Sequence, residues 1–359
     1  MNHGMVLIWL SLVTAIGAVL SGYMGCRKNS TSVTTLSRKL EIACLVLAGS
    51  SMLLLMYHLY TVNASYSYVF EHSSTDLEWY YRLSALWAGQ EGSMLLWVVS
   101  IMAMVVAVER THRMGLSDTI LMQSTRLISL SIACVLLALL VLKNPFSAYH
   151  VLPNGGVGIT NWDPFVQMYD VPYGQGMNPL LRNPWMAVHP PILFLGYAAF
   201  TIPFAAAIGN LLTHDKRWEP IATSWMRIAW LFLTLGIGLG GFWAYEVLGW
   251  GAWYWSWDPV ETSSLIPWIT STAYLHAQLR YRHGEYGFVA PLLAIASFVL
   301  VIFAAFVTRS GMWTSVHSWQ DFTAESGIIA VFLSVLILSS TFLLTKRYFE
   351  EERMLSELD

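Results

Sequence analysis

Runs of about twenty apolar residues recur along this chain near 4 to 25, 40 to 62, 84 to 108, 127 to 143, 191 to 212, 227 to 248, 264 to 282, 288 to 308 and 327 to 345. A helix of that length crosses the hydrocarbon core of a bilayer, where no water is present and the backbone must satisfy its own polar groups. The pattern predicts an all-α polytopic membrane protein with about nine transmembrane helices. Composition agrees, with 56% hydrophobic and 11% charged residues among 359 and a mean hydropathy of +0.53, far from a soluble domain.

Basic residues collect in loops that stay in the cytoplasm. With the N-terminus outside and the C-terminus cytoplasmic, Arg27, Lys28, Arg38, Lys39, Arg110, Arg113, Arg126, Lys216, Arg217, Arg227, Arg280, Arg282, Lys346, Arg347 and Arg353 fall on the inner side. Only Arg82, Lys143, Arg182 and Arg309 fall outside. An asymmetry repeated at each loop supports the helix count. The first segment has neither a basic leader nor a small-residue cleavage site, and it reads as a retained span. The chain reads as one transmembrane domain, 1–359, with a long external loop at 144–190, an external Trp-rich segment at 249–263 and a cytoplasmic tail at 346–359.

A formal charge of -3 gives no reason to invoke nucleic acid. Cys26 falls at the inner end of the first helix, and Cys44 and Cys134 lie within helices, so no disulfide is implied. The chain has no CxxCH motif and no external thiol, which excludes a c-type cytochrome and an external thiol oxidoreductase. A proton-coupled transporter normally carries ionisable groups along a path through the membrane, and helices two, four, six and eight have almost none in their middles.

Between the sixth and seventh helices the chain reads GWGAWYWSWDPVE, with Trp250, Trp253, Trp255 and Trp257 within eight residues. Isolated Trp residues at a membrane interface are anchors, which suffices for Trp9 or Trp218. Four in eight residues instead make a surface for a flat aromatic ligand, and heme fits it. Asp258, Pro259 and Glu261 carry an N-cap and capping-box pattern that opens a helix, a structural role beside any contact of Asp258 with the ligand. The 144–190 segment, rich in Asn, Pro and Gly, is of a length that is usually functional or partner-binding. It ends in WMAVHPPILFLGY, where Pro190 and Pro191 suit the first turn of helix five and leave His189 exposed above the membrane.

His3, His72, His150, His189 and His317 fall outside, His112, His214 and His283 inside, and His58 and His276 within spans. His189 precedes helix five and His317 follows helix eight, and two neutral imidazoles on opposite faces of a porphyrin are the usual axial pair of a six-coordinate b-type heme. Arg309, eight residues before His317, is a candidate partner for a heme propionate, since guanidinium pairs carboxylates in a bidentate fork. His276 puts a polar ring about midway down an apolar helix, a placement that tends to mark function. A satisfied interfacial histidine is the bland alternative for His189.

The Trp-rich segment resembles the WWD signature of the heme-handling proteins of cytochrome c biogenesis. Three further stretches, LSALWAGQEGSMLLWV (84 to 99), HPPILFLGY (189 to 197) and VTRSGMWTSVHS (307 to 318), are similar to the CcmF branch. The resemblance covers essentially the whole chain. It implies that His189 and His317 ligate heme b at the WWD surface, with Trp250, Trp253, Trp255, Trp257, Asp258 and Arg309 around it. It also implies that His276 ligates a second, intramembrane heme b. The activity implied is a heme lyase, in which heme from a carrier of the CcmE type is joined by thioether bonds to the CxxCH thiols of an apocytochrome c, with a thiol-reducing partner of the CcmH type. The membrane implied is the bacterial or archaeal cytoplasmic membrane.

Two departures stand out. The family pattern is roughly WGxxWxWD, and this chain has one additional residue between Trp250 and Asp258. CcmF proteins are also much longer, so the chain reads as a short or split form, with a separate C-terminal CcmF-like polypeptide expected to supply the second intramembrane ligand. Two other readings of the same residues stay open. A heme exporter or heme-presenting module of the CcmC or CcsA type uses the same surface without attachment activity, and a scaffold subunit of a lyase complex binds no heme alone.

Overall fold

The computed structural model describes residues 1–111, 119–247, 255–279, 288–315 and 322–356. Its helices are α1 (His3–Lys28), α2 (Thr31–Thr61), α3 (Ser67–His72), α4 (Trp79–Ser84), α5 (Gln90–Thr111), α6 (Ile120–Leu142), α7 (Pro184–Ala199), α8 (Thr201–Thr213), α9 (Trp218–Val247), α10 (Pro259–Leu279), α11 (Val289–Arg309) and α12 (Ala324–Ser356). Among the described residues, eight spans are long and apolar enough to cross a membrane: α1, α2, α5, α6, α7 continued by α8, α9, α11 and α12. The remaining expected span, 264 to 282, is the 21-residue helix α10. Its Ser and Thr residues keep it below that apolarity, yet apart from Thr262 their hydroxyls have partners, most within the helix, as where Ser264 donates to Glu261 O at 2.7 Å and Ser271 to Trp268 O at 2.9 Å.

Helix starts are where the structure departs most from the apolar runs. α2 begins at Thr31 and α9 at Trp218, each well before its apolar stretch. α7 begins at Pro184, capped by Asn183, whose Oδ1 accepts the Trp185 N–H at 2.8 Å. Pro190 and Pro191 therefore lie inside the helix, past its first turn, and His189 is a half-buried helical residue instead of an exposed one ahead of the helix. The α7–α8 break at Phe200 has a chemical cause: Pro203 has no N–H to give the carbonyl four residues back.

The chain divides into two compact units, Met1–Val106 with Leu130–Leu195 and Gly238–Tyr254, and Ala107–Ser129 with Gly196–Ile237 and Trp255–Asp359. In the first unit, α1 and α2 form a hairpin on a seam of small residues, as membrane helices do when packing replaces the hydrophobic drive. Ser37 Oγ donates to Ala18 O at 2.7 Å, and a Cβ on Gly25 would lie 2.6 Å from Thr34 Oγ1. The turn closes with Asn29 in the left-handed region, and Arg27 and Lys28 stand in the last turn of α1, where the helix dipole favours them.

The 144–183 segment contains a two-stranded hairpin, β1 (Ala148–Val151) and β2 (Val157–Thr160), paired Ala148 to Thr160. Bridges from Ala148 to Tyr66 and from His150 to Met168 line the other edge of β1. The start of α1 is sewn to the same segment, since Asn2 donates its backbone N–H to Pro164 O at 2.7 Å and its Nδ2 to Phe146 O at 2.6 Å. In the second unit α8 is buried along nearly its whole length, and Phe204 packs on Phe298 of α11 with ring centroids 4.9 Å apart. α10 and α11 are joined by Ser297 Oγ to Thr270 Oγ1 at 3.1 Å.

Candidate functional site

His189 sits in the first unit, in the proline-interrupted turn of α7. Pro190 cannot donate to the Met186 carbonyl, and the indole of Trp87 takes its place, Nε1 to O at 3.0 Å. Two of the sequence stretches singled out above, around 84 to 99 and 189 to 197, are thus joined by one bond. The His189 ring lies against α9 at Gly240, where an added Cβ would come 2.6 Å from Cε1, 3.0 Å from Nδ1 and 3.1 Å from Nε2. Only glycine leaves that groove. Nearby, Trp185 and Phe242 make an edge-on pair at 4.8 Å.

The second unit carries the described part of the Trp-rich segment. Trp250, Trp253 and His317 lie outside the described residues. Trp255 and Trp257 are perpendicular, with centroids 6.2 Å apart. Trp257 is 70% exposed and holds φ at 60°, a left-handed conformation that costs a bulky residue about 1–2 kcal/mol. The Trp255 Nε1 donor is buried with no acceptor among the described residues.

Asp258 caps α10 as the sequence predicts, its Oδ1 accepting the Val260 N–H at 2.9 Å. Glu261 does not close the expected capping box on the Asp258 N–H. Its Oε2 accepts from the Ser256 N–H at 3.2 Å and Ser256 Oγ at 3.1 Å, which folds residue 256 back over the helix start. Asp258 Oδ1 also accepts Ser315 Oγ at 2.7 Å. Ser315 stands two residues before His317, so the carboxylate fastens the helix bearing the WWD segment to the strand of chain leading to that histidine. The sequence offered no signal for Ser315, which a short-range pattern cannot pair with a residue 57 positions away.

Arg309, the candidate propionate partner, ends α11 and is only 6% exposed. Its carbonyl accepts Ser326 Oγ at 2.7 Å, and its charge acts on the buried Tyr197 hydroxyl. His276 lies close to Leu279, the last described residue of α10, and its ring is exposed. Its Nδ1 lies 2.9 Å from Thr272 O. His58, near the C-terminal end of α2, packs against Tyr66 at 4.6 Å and lies 3.4 Å from Asn63 Nδ2.

These donor sets suit heme. An imidazole in a backbone groove can serve as an axial ligand, an outward indole can cover a porphyrin, and a buried indole N–H can meet a carboxylate. Among the described residues, no group of three or more His, Cys, Asp or Glu could hold a metal ion by itself.

A family model described as cytochrome C assembly protein matches residues 87–317. The chain is 37% identical over 287 residues to the cytochrome c-type biogenesis protein CcmF of Pseudomonas fluorescens, covering 79% of this chain and 40% of that one. It is 33% identical over 344 residues to CcmF of Escherichia coli strain K12, covering 94% and 50%. It is 30% identical over 337 residues to the biogenesis protein NrfE of Haemophilus influenzae, covering 93% and 50%. The chain therefore spans about half the length of the curated relatives it matches. A solved structure of a cytochrome c heme lyase CcmF has the same fold over 96% of this chain and 51% of its own, with TM-score 0.72 and 23% identity.

Proposed function

This chain is a CcmF-type member of the cytochrome c assembly protein family, and we propose that it binds heme b at its WWD segment and presents it for thioether attachment to apocytochrome c. His189 and His317 are the axial ligands in this reading, with Trp250, Trp253, Trp255 and Trp257 covering the ring. Arg309 and the Trp255 N–H serve the propionates, Arg309 from its buried position at the end of α11. The observation that carries the reading is the Asp258–Ser315 bond, which ties the WWD helix to the segment leading to His317.

The heme is substrate at this site, offering vinyl groups to which thiols add, sulfur bonding to one vinyl carbon while the thiol proton ends on the other. The chain's own residues contribute orientation, holding the porphyrin edge toward the incoming thiol and releasing the iron to the client's histidine. Activation of the thiol is deprotonation, which no residue of this chain is required to perform. His276 would hold a second, intramembrane heme b, which would supply electron transfer, with a further protein ligand expected from a C-terminal CcmF-like polypeptide.

The protein is multi-pass, and its matched relatives are bacterial. The proposed setting is the cytoplasmic membrane, N-terminus outside and C-terminus cytoplasmic, with the WWD segment on the external face. A CcmE-type carrier delivers heme, and a CcmH-type partner keeps the apocytochrome thiols reduced. The test is a reduced-minus-oxidised spectrum of the purified chain beside a His189→Ala, His317→Ala double variant. A b-type signal lost in the double variant is expected, and a signal that survives it overturns the ligand assignment. Adding heme carrier and apocytochrome then separates attachment from presentation.

A further inference from the structure

In an antiparallel pair, residues alternate between those whose N–H and C=O both bond the partner strand and those whose groups point away. The β1–β2 ladder continues into the Leu152 N–H to Gly156 O bond at 2.7 Å, and with Ala148 opposite Thr160 the alternation turns Gly158 and Thr160 toward β1. Val157 and Ile159 then point their backbone groups away from it. The same rule turns Tyr149 outward on β1, and there the outward groups are used: Tyr149 donates its N–H to Ser65 O at 2.9 Å and accepts the Tyr169 N–H at 2.7 Å. On β2 they are not. Among the described residues, no backbone bond reaches Val157 or Ile159 from outside the hairpin, which leaves two N–H and two C=O groups in a row.

Proteins blunt such an edge with Lys, with Pro or by covering it, and β2 has no charged residue and no Pro. Its outer residues are instead apolar. Val157 and Ile159 are more than half exposed, as are Val151 across the ladder and Trp162 and Phe165 just beyond the strand. A lipid surface also accepts exposed aromatic residues, but hydrocarbon offers nothing to a row of unpaired backbone groups. An extended polypeptide satisfies both features, its main chain pairing with the edge and its alternate side chains meeting the apolar residues. The charge is one-sided too: residues 144 to 181 include Asp163 and Asp170 and neither Lys nor Arg, which favours a basic partner.

We propose that the outer edge of β2 is a docking strand for the unfolded client, pairing Val157 and Ile159 with an extended apocytochrome segment whose apolar residues alternate and are flanked by Lys or Arg. That the partner is the apocytochrome rests on the attachment reading above. An unfolded chain has its backbone groups free, whereas the folded, heme-bearing product has them paired internally and leaves. Main-chain pairing also asks little of the client's sequence, and the docking segment runs on in the same unit into α7, which carries His189.

The first arm of the test is hydrogen exchange on the full chain, heme-free in lipid nanodiscs, with 15N-valine and 15N-isoleucine. The two amides are identified by their loss in Val157→Thr and Ile159→Thr. They are expected to exchange freely in the chain alone and at least about tenfold more slowly with reduced, heme-free, lysine-rich apocytochrome c, with no slowing by its folded, heme-bearing form. Slow exchange before any client is added means that the bilayer or a second copy already covers the edge, and overturns the proposal. Exchange unmoved by apocytochrome, or slowed equally by the folded form, overturns it as well. In the second arm, Ile159→Pro removes an outward N–H at a position where an edge strand tolerates proline. It should weaken apocytochrome binding about tenfold, and Ile159→Thr, which keeps the N–H, by much less. Equal losses would show a side-chain contact without strand pairing. The first arm reads the wild-type edge and decides even where Ile159→Pro disturbs the hairpin. Protected amides in a chain that binds no heme keep the docking strand and sink the attachment reading. Unprotected amides in a chain whose b-type signal depends on His189 and His317 sink the docking strand alone.

Discussion

Ser315 Oγ donates to Asp258 Oδ1 at 2.7 Å, and the same oxygen accepts the Val260 N–H at 2.9 Å. One carboxylate oxygen thus starts α10 and anchors the segment that leads to His317. Ser315→Ala leaves the cap bond in place and removes the anchor. It is expected to cost about 1 kcal/mol of stability and to weaken heme binding by more than that, because the ligand's approach is freed. Thr at 315 should restore both. Parallel thermal unfolding and heme titration check this, and equal losses in the two would show the bond to be a scaffold only.

Trp257 combines an exposed indole with a backbone conformation that glycine adopts without penalty. Trp257→Gly relieves the strain at about 1–2 kcal/mol and adds backbone freedom worth about 0.5–1 kcal/mol to the unfolded chain. Stability is therefore expected to stay level or rise while heme affinity falls. A variant that loses stability in step with affinity would assign Trp257 to the core of the fold.

Gly240→Ala places a methyl 2.6 Å from His189 Cε1, inside contact distance. Alanine is the better helix former by about 1 kcal/mol, so helix α9 itself gains. The imidazole must turn away, and we expect at least about a tenfold loss in heme affinity, about 1.4 kcal/mol, with a high-spin contribution appearing in the ferric spectrum. Unchanged low-spin character in Gly240→Ala would remove His189 from the ligand set.

Glu71, in α3 and outside the spans, has its carboxyl pushed above the usual range by burial and further by Glu91, while His72 and Lys143 pull it back. Lys143 meanwhile faces Glu91 at 3.7 Å and Gln90 at 3.2 Å. The folded chain holds this proton more tightly than the unfolded one, so the group favours folding at low pH and that contribution is lost as pH rises through the ordinary carboxylate value to the raised one. Glu71→Gln should flatten that slope and raise Tm at neutral pH. Melting curves taken across pH 4 to 7 check it, and an identical slope in both proteins would refute it.

The membrane-spanning segments were readable because a bilayer imposes their length, and the Asp258 cap was readable because capping is local. Helix starts were not: Thr31 to Lys39 and Trp218 to Arg227 are polar stretches that simply continue the helix. Pro190 and Pro191 suggest a first turn because proline is favoured there in water, yet a membrane helix tolerates them further in when a neighbour satisfies the freed carbonyl. Gly240 and Ser315 matter through which segments meet, and nothing within ten residues of either reveals that. The burial of Arg309 has the same origin, since its surroundings are supplied by Tyr197 and Ser326 from other helices.

The Trp87 bond to the Met186 carbonyl exists because Pro190 leaves that oxygen without its helical donor. Loss of the indole alone is therefore penalised, whereas any residue with a backbone N–H at 190 would make it dispensable. The two sites are bound in descent as well as in space: a lineage that gives up the proline is released to give up the tryptophan, and one that loses the tryptophan first passes through a less stable ancestor.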